Sequence, residues 1–253
     1  MDCVDVEVRS GELVLPGRLY GEANSRFGCG VVLFHGSTRL GFRYPLIEFL
    51  AERLAERYLV LVFDLPGFGR APELTISCLD DYLMAEHFAA AVGFLRRVVG
   101  GRVVAVGHSM GGRVAIQGAS LYGGVEGLCL LAGLYLFPAD FDVVLGLLRD
   151  YSRVIRARWL TSLEELTRQI IRVRPQLSAL SKLRVPIFAV QAGGEYYDFI
   201  RESCVPAMYA SAGPACLVFL EHARHNFHRH YDEVYQLVSG WITRLFRAPY
   251  RNV

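Results

Sequence analysis

The chain has 253 residues, of which 53% are hydrophobic and 21% are charged, and its formal net charge is +2. This composition allows a large buried core, so we expect a single α/β domain over residues 1–253. The scattered basic residues argue against a nucleic-acid-binding surface. Residues 1–7 are acidic and alternate between charged and apolar side chains, unlike the basic start and apolar core of a secretory signal. No apolar run reaches the roughly 18 residues of a membrane span. A cytoplasmic protein is therefore expected.

Short apolar runs alternate with amphipathic segments along the chain. The predicted strands cover residues 4–9, 13–20, 30–34, 59–63, 102–106, 125–131, 185–191 and 216–220. The predicted helices cover residues 44–58, 76–99, 110–122, 141–158, 163–174, 199–210 and 231–246. This order predicts a mostly parallel central sheet with helices on both faces, preceded by an antiparallel hairpin.

Residues 134–182 form an insertion that interrupts this alternation, because two predicted helices follow one another between strands. We expect the insertion to lie over the carboxyl edge of the sheet. Its aromatic residues suit a small lid over a pocket: Tyr135, Phe137, Phe141, Tyr151 and Trp159. Of these, Phe141 and Trp159 are expected to cap a shallow pocket for short acyl chains. They suit an ordinary crossover equally well, because periodicity does not distinguish an exposed apolar face from a buried one.

A serine between two glycines, in Gly107-His108-Ser109-Met110-Gly111, lies between a predicted strand and a predicted helix. A sharp turn at this junction lifts the serine hydroxyl away from the backbone, and glycines two residues before and after leave the space that any Cβ would fill. The motif therefore predicts that Ser109 is a nucleophile. Serine needs a nearby base for this chemistry, and a carboxylate that orients the base.

Four segments, in this order, carry a family resemblance: His35-Gly36-Ser37, Asp64 to Gly69, Gly107 to Gly112 and Ala223 to Phe227. On these segments the chain resembles α/β-hydrolases of the small esterase, lipase and acylaminoacyl-peptidase-like type along nearly its whole length. The resemblance implies an α/β-hydrolase fold and a triad that runs serine, acid, histidine along the chain.

The resemblance implies that His225 is the base and that the backbone N–H groups of Ser37 and Met110 form the oxyanion hole. The acid departs from the family pattern, which is His-Gly-x-x-Asp after the preceding strand. Here the corresponding segment is Gln191 to Glu195, and its register favours Glu195 as the acid. Asp198 is the alternative acid, and it also suits the N-cap of the following helix.

Four histidines and a carboxylate occur between Glu221 and His230, which raises the question of a metal site. The interleaved arginines Arg224 and Arg229 would repel a cation, and no metal-ligand spacing appears elsewhere. The six cysteines contain no Cys-x-x-Cys pair and are expected to be free thiols. We therefore expect neither a metal nor a cofactor.

Together these features predict a serine hydrolase that cleaves carboxylic esters through an acyl-serine intermediate, with a small-molecule ester or acyl substrate. A thioesterase or a small-peptide hydrolase would use the same triad. A catalytically idle relative that only binds a ligand is the alternative from another class, and a metal-dependent hydrolase is the third.

Overall fold

The computed structural model describes residues 3–21, 28–195 and 198–247. Within these ranges the chain forms ten strands: β1 Cys3–Ser10, β2 Leu13–Tyr20, β3 Cys29–Phe34, β4 Leu59–Phe63, β5 Leu74–Ile76, β6 Arg102–His108, β7 Gly127–Leu131, β8 Ala157–Trp159, β9 Ile187–Gly194 and β10 Ala215–Arg224. The helices of the same ranges are α1 Pro45–Leu54, α2 Leu79–Leu83, α3 Ala85–Val99, α4 Met110–Tyr122, α5 Phe141–Ser152, α6 Leu163–Val173, α7 Pro175–Leu180, α8 Asp198–Ala210 and α9 Tyr231–Arg247, with a 3-10 turn at Gly41–Arg43.

Eight of these strands form one sheet in the order β1-β2-β4-β3-β6-β7-β9-β10. The hairpin of β1 and β2 is antiparallel, and β2 pairs antiparallel with β4. The remaining neighbours in this order, from β4 through β3, β6, β7 and β9 to β10, pair in parallel. The central strands β3, β4 and β7 are buried along their whole length because helices cover both faces. The predicted α/β-hydrolase fold with a mostly parallel sheet is confirmed.

A separate apolar cluster lies on each face of the sheet. One cluster includes side chains of α3 and α4 together with those of the insertion, such as Val144 and Ile170. The other includes side chains of α1 and α9, such as Leu50 and Val238. Because the sheet is enclosed on both sides, the loops at the carboxyl ends of its parallel strands remain available for a site.

The single helix predicted over residues 76–99 is wrong. Ile76 ends strand β5, and the helical part is divided between α2 and α3. The side chain of Asp81 accepts hydrogen bonds from the backbone N–H groups of Ser77 and Cys78, which sets the start of α2 at Leu79. Met84 then has a left-handed backbone, with φ of 58°, which separates the two helices.

The insertion differs from its prediction in two ways. The helix predicted over residues 141–158 ends at Ser152, and Ala157–Trp159 is instead a strand that pairs with β5 in a second, two-stranded sheet. Pro175 begins a helix that was not predicted, since proline is well suited to a first helical position. The left-handed residue Arg174 separates this helix from α6.

In the described part of the chain, the helices are all too short or too polar to cross a membrane.

Candidate active site

Ser109 lies in the sharp turn between β6 and α4. Its backbone has φ of 54°, a left-handed value that is unfavourable for a residue with a side chain. A Cβ on Gly107 would lie 2.5 Å from the carbonyl oxygen of Gly111, and a Cβ on Gly111 would lie 2.2 Å from that of Phe34. The predicted need for glycine at both positions is therefore confirmed, and the turn holds Ser109 out from the end of the strand.

Three side chains from different elements form a continuous hydrogen-bonded chain. The Oγ of Ser109 lies 2.9 Å from Nε2 of His225, and Nδ1 of His225 lies 2.6 Å from Oε2 of Glu195. With the proton on Nδ1, the imidazole donates to the carboxylate and its Nε2 accepts from the serine hydroxyl. This geometry permits His225 to remove the proton of Ser109.

The strands β9 and β10 bring the acid and the histidine together. They pair in parallel, Glu195 follows β9, and His225 follows β10. The register shifts between Leu220 and Arg224, which places Arg224 opposite Gly194. A Cβ on Gly193 would lie 2.5 Å from the carbonyl oxygen of Glu221, so glycine permits this close approach. Both strands extend beyond their predicted ends, and the extensions carry the two side chains into the site.

The carboxylate of Glu195 has a second partner, Gln191, whose side-chain amide donates to Oε1. The side chain of Glu195 is only 1% exposed and that of Gln191 is fully buried, while that of His225 remains 14% exposed. The carboxylate is thus held in one orientation, and the imidazole edge stays open to a substrate. Sequence reasoning missed the role of Gln191, although a polar residue inside an apolar strand was a usable signal.

Asp198 occupies a different position from Glu195. It is the exposed first residue of α8, and among the described residues no hydrogen bond or ion pair joins it to His225. The residue that precedes this helix lies outside the described ranges, so the N-cap role expected of Asp198 stays a prediction. Of the two carboxylates that the sequence indicated, the structure brings only Glu195 to the histidine.

Two residues that line the cavity beside Ser109, Ser37 and Met110, have backbone N–H groups that could serve as donors. Within residues 3–21, 28–195 and 198–247, neither the N–H of Ser37 nor that of Met110 donates to a protein group. A Cβ on the intervening Gly36 would lie 3.1 Å from Cβ of Ser109, so the loop after β3 passes directly beside the serine. Met110 is the first residue of α4, where unpaired N–H groups favour negative charge.

His35 holds the loop after β3 in place. Its Nδ1–H donates to the carbonyl oxygen of Gly36 at 2.7 Å, and its Nε2 accepts from the N–H of Leu65 at 3.0 Å. The ring is fully buried, and burial lowers its pKa, so it stays neutral. Because both ring nitrogens are used within the protein, His35 is structural.

His108, directly before Ser109, was not assigned a role from the sequence. Its Nε2–H donates to the carbonyl oxygen of His225 at 3.1 Å, and its ring stacks on that of Tyr44. Burial, and secondarily the nearby His225, lower the pKa of His108 to about 3. A neutral His108 therefore joins the serine turn to the loop that carries His225.

A cavity of about 230 Å³ opens beside Ser109 and His225. Its walls are mainly apolar and aromatic, and they also include Ser37, Arg113 and the rim residue Asp150. The insertion contributes Leu134, Phe137, Leu147, Tyr151 and Val154. The expectation that Phe141 and Trp159 cap the pocket is wrong: Phe137 and Tyr151 line it instead, while Trp159 packs against the apolar core. Whether the insertion moves as a lid stays a prediction.

The histidine-rich segment, Glu221 to His230, is exposed near its start and near its end. His222 and His228 are exposed, and Nδ1 of His230 lies 3.2 Å from Oε2 of Glu233, also at the surface. Among the described residues no group of three or more His, Cys, Asp or Glu side chains is arranged to hold a metal ion.

Several solved structures share this fold. Est1E from Butyrivibrio proteoclasticus, solved with bound ferulic acid, has a TM-score of 0.72 at 16% identity, over 95% of this chain and 98% of that one. The esterase Pf2001 from Pyrococcus furiosus has a TM-score of 0.67 at 18% identity, over 96% and 92%. Dienelactone hydrolase from Anabaena variabilis has a TM-score of 0.66 at 17% identity, over 96% and 97%. At these identities the likeness establishes the fold alone.

Comparison with curated proteins gives no match. The sequence model of the alpha/beta hydrolase family, by contrast, matches residues 31–249, which include all the segments that form the candidate site. This chain therefore belongs to the alpha/beta hydrolase family.

Proposed function

We propose that this protein is a serine hydrolase that cleaves carboxylic esters of small acyl groups. In this proposal Ser109 is the nucleophile, His225 is the general base and acid, and Glu195 orients and stabilises the imidazolium. The observation that carries the proposal is the hydrogen-bonded chain from Ser109 through His225 to Glu195 at 2.9 and 2.6 Å. Family membership supports a hydrolase, and the esterases among the similar folds favour an ester substrate.

The first half of the reaction forms the acyl-enzyme. His225 takes the proton of Ser109 as Oγ attacks the ester carbonyl carbon, and the carbonyl oxygen becomes an oxyanion. The N–H groups of Ser37 and Met110 stabilise this charge, and each such donor typically lowers the barrier by about 3 kcal/mol. The tetrahedral intermediate then collapses, His225 gives its proton to the leaving alcohol, and the acyl group remains on Oγ.

The second half regenerates the enzyme. A water molecule replaces the alcohol, His225 removes its proton, and the hydroxide attacks the acyl carbon. Collapse of the second intermediate releases the carboxylic acid and returns the proton to Ser109. The buried carboxylate of Glu195, fixed by Gln191, stabilises the imidazolium that forms in both halves.

The size of the cavity limits the acyl group. A volume of about 230 Å³ beside Ser109 is below the usual range of drug-sized ligand sites, and it suits acyl chains of a few carbons better than long chains. We therefore expect short-chain esters to be the better substrates.

The test is hydrolysis of p-nitrophenyl esters from acetate to palmitate by the wild-type protein and by Ser109→Ala at matched concentration. We expect activity that is highest for short chains and a loss in kcat on the order of 10⁴- to 10⁶-fold in the variant. Ser120→Ala, in the same helix but away from the turn, is the matched control and should keep wild-type activity. Equal activity of wild type and Ser109→Ala would overturn the proposal.

A further inference from the structure

Arg113 is a buried cation in the wall of the candidate active site. Arg113 is only 3% exposed, and it lines the same cavity as Ser109 and His225. It lies four residues after Ser109, in α4, and both residues line this cavity. Arginine is almost never buried without a partner, which makes its surroundings informative.

Aromatic rings and one backbone oxygen surround the Arg113 guanidinium. Its carbon lies 3.8 Å from the ring centre of Tyr82 and 5.6 Å from that of Tyr151. An Nη2–H group donates to the carbonyl oxygen of Tyr82 at 3.1 Å. In the described part of the chain, no carboxylate lies within ion-pair distance of Arg113, so no anion of the protein neutralises its charge.

The Arg113 guanidinium has few acceptors in the protein. Its Nε is buried and has no hydrogen-bond partner of good geometry among the described residues, and the neighbouring hydroxyl of Tyr151 interacts with the guanidinium as a neutral group. Burial raises the pKa of Tyr151, so its hydroxyl remains protonated and able to donate. Burial of a guanidinium without a charged acceptor is costly, and a carboxylate that enters the cavity lined by Arg113 would supply one.

The other charged residue of the cavity does not compensate for Arg113. Asp150 is exposed at the rim, and its Oδ1 accepts a hydrogen bond from Arg153 at 2.8 Å. The positive charge is therefore deep and unneutralised, whereas the negative charge is at the surface and paired. An anionic group that enters the cavity meets this positive charge in its wall.

From this arrangement we infer that the preferred substrates are esters whose acyl group ends in a carboxylate, and that Arg113 binds this carboxylate. The inference rests on the proposed ester hydrolysis at Ser109 and adds the substrate class. Acyl groups derived from short dicarboxylic acids match the small cavity that Ser109 and Arg113 both line.

The experiment compares two esters of the same shape: mono-p-nitrophenyl glutarate and the neutral p-nitrophenyl 5-methylhexanoate, in which an isopropyl group replaces the carboxylate. The enzyme-free rate is subtracted for both. We expect the wild-type protein to prefer the glutarate, and we expect Arg113→Met to lower the ratio of the two kcat/KM values by about 10- to 100-fold. A ratio cancels any general loss of activity in the variant.

Two further variants separate recognition from folding. Arg113→Gln keeps a donor for the carbonyl of Tyr82 but removes the charge, so it should also lose the preference. Arg172→Met removes one positive charge from an exposed position of the insertion that does not line this cavity, and it should keep the wild-type ratio. An equal ratio in wild type, Arg113→Met and Arg113→Gln would overturn the inference and leave the proposed ester hydrolysis intact.

A binding measurement gives a readout that does not need turnover. We expect calorimetry to detect monomethyl glutarate binding to Ser109→Ala and to find it weakened at least tenfold in Ser109→Ala/Arg113→Met. Absence of binding, or binding that is unchanged by the second substitution, would contradict the role of Arg113. Failure of the wild type to hydrolyse any ester would instead remove the proposed function.

Discussion

Glu195 is fixed from two sides, by His225 at one carboxylate oxygen and by Gln191 at the other. The side chain is almost completely buried, so its orientation depends on these two partners. A glutamate is one methylene longer than the aspartate of the family pattern, and the donor from Gln191 restricts the additional torsion. In the proposed mechanism the residue orients the imidazole only while both contacts persist.

Replacement of the two candidate acids distinguishes between them. We expect Glu195→Gln to lower kcat by about 10³- to 10⁴-fold, because an amide favours the wrong imidazole tautomer and does not stabilise the imidazolium. The matched change Asp198→Asn, at an exposed position, should alter kcat less than about threefold. Steady-state hydrolysis of a short p-nitrophenyl ester measures both, and a larger loss in Asp198→Asn than in Glu195→Gln would refute the assignment.

Some side chains of the site could be predicted from the sequence and others could not. Ser109 and His225 occur in local motifs in a fixed order, and Glu195 follows a strand at a countable position. Their positions follow from chain order, while their catalytic roles stay predictions. Arg113 has no such local motif, because its significance arises from Tyr82 and Tyr151, which are distant in the sequence. Only the packing of α2 and α5 around the cavity reveals it.

At the level of elements, the short strand β8 ties the insertion to the main body. This strand pairs with β5. The side chain of Arg156, just before β8, also donates to the carbonyl oxygens of Phe68, Gly69 and Ala71 at 3.3, 3.0 and 2.6 Å. The backbone N–H of Arg156 donates to the carbonyl of Gly67 at 2.9 Å. This middle part of the insertion is anchored on the loop after β4.

Loss of this anchor should loosen the insertion. We expect Arg156→Met to lower the free energy of unfolding by about 1–3 kcal/mol and to speed hydrogen exchange in residues 153–160, because three backbone acceptors lose their charged donor. Denaturant unfolding and exchange mass spectrometry measure these effects. Arg158→Met, at an exposed position two residues later, is the control. Equal exchange in wild type and Arg156→Met would show that the side chain does not anchor the insertion.

The strands of the main sheet could be predicted from the sequence, but β5 and β8 could not. Long apolar runs such as β4 and β7 contain their own signal, since burial on both faces requires apolar side chains throughout. The strands β5 and β8 have three residues each, and each exists only because the other pairs with it. A helical pattern over residues 141–158 continued through β8 because local periodicity does not register such a long-range pairing.

Over the whole molecule, the burial of neutral histidines predicts a fold that loses stability in acid. His87 is 1% exposed, and its Nδ1 lies 2.7 Å from Oγ of Ser10, which joins α3 to the end of β1. Burial lowers the pKa of His87 from its usual 6.5 to about 4. The unfolded chain is protonated at this histidine below about pH 6.5, whereas the folded chain stays neutral down to about pH 4.

Because the unfolded state binds more protons between pH 6.5 and 4, the free energy of unfolding should fall as the pH falls through this window. We expect His87 to contribute about 3 kcal/mol of that fall. The double variant Ser10→Ala/His87→Leu, which leaves neither partner unpaired, should therefore depend less steeply on pH in denaturant titrations. His222→Gln, at an exposed histidine, is the control. Parallel curves for wild type and the double variant would contradict this.

As the proposed nucleophile, Ser109 should become covalently modified during catalysis. Mass spectrometry of the protein after reaction with a serine-directed fluorophosphonate, followed by peptide mapping, measures this modification. We expect one adduct, located on Ser109 and absent from Ser109→Ala, with strongly slowed labelling in His225→Ala, since the base activates the hydroxyl. An unlabelled wild-type protein, or an adduct that persists in Ser109→Ala, would contradict this expectation.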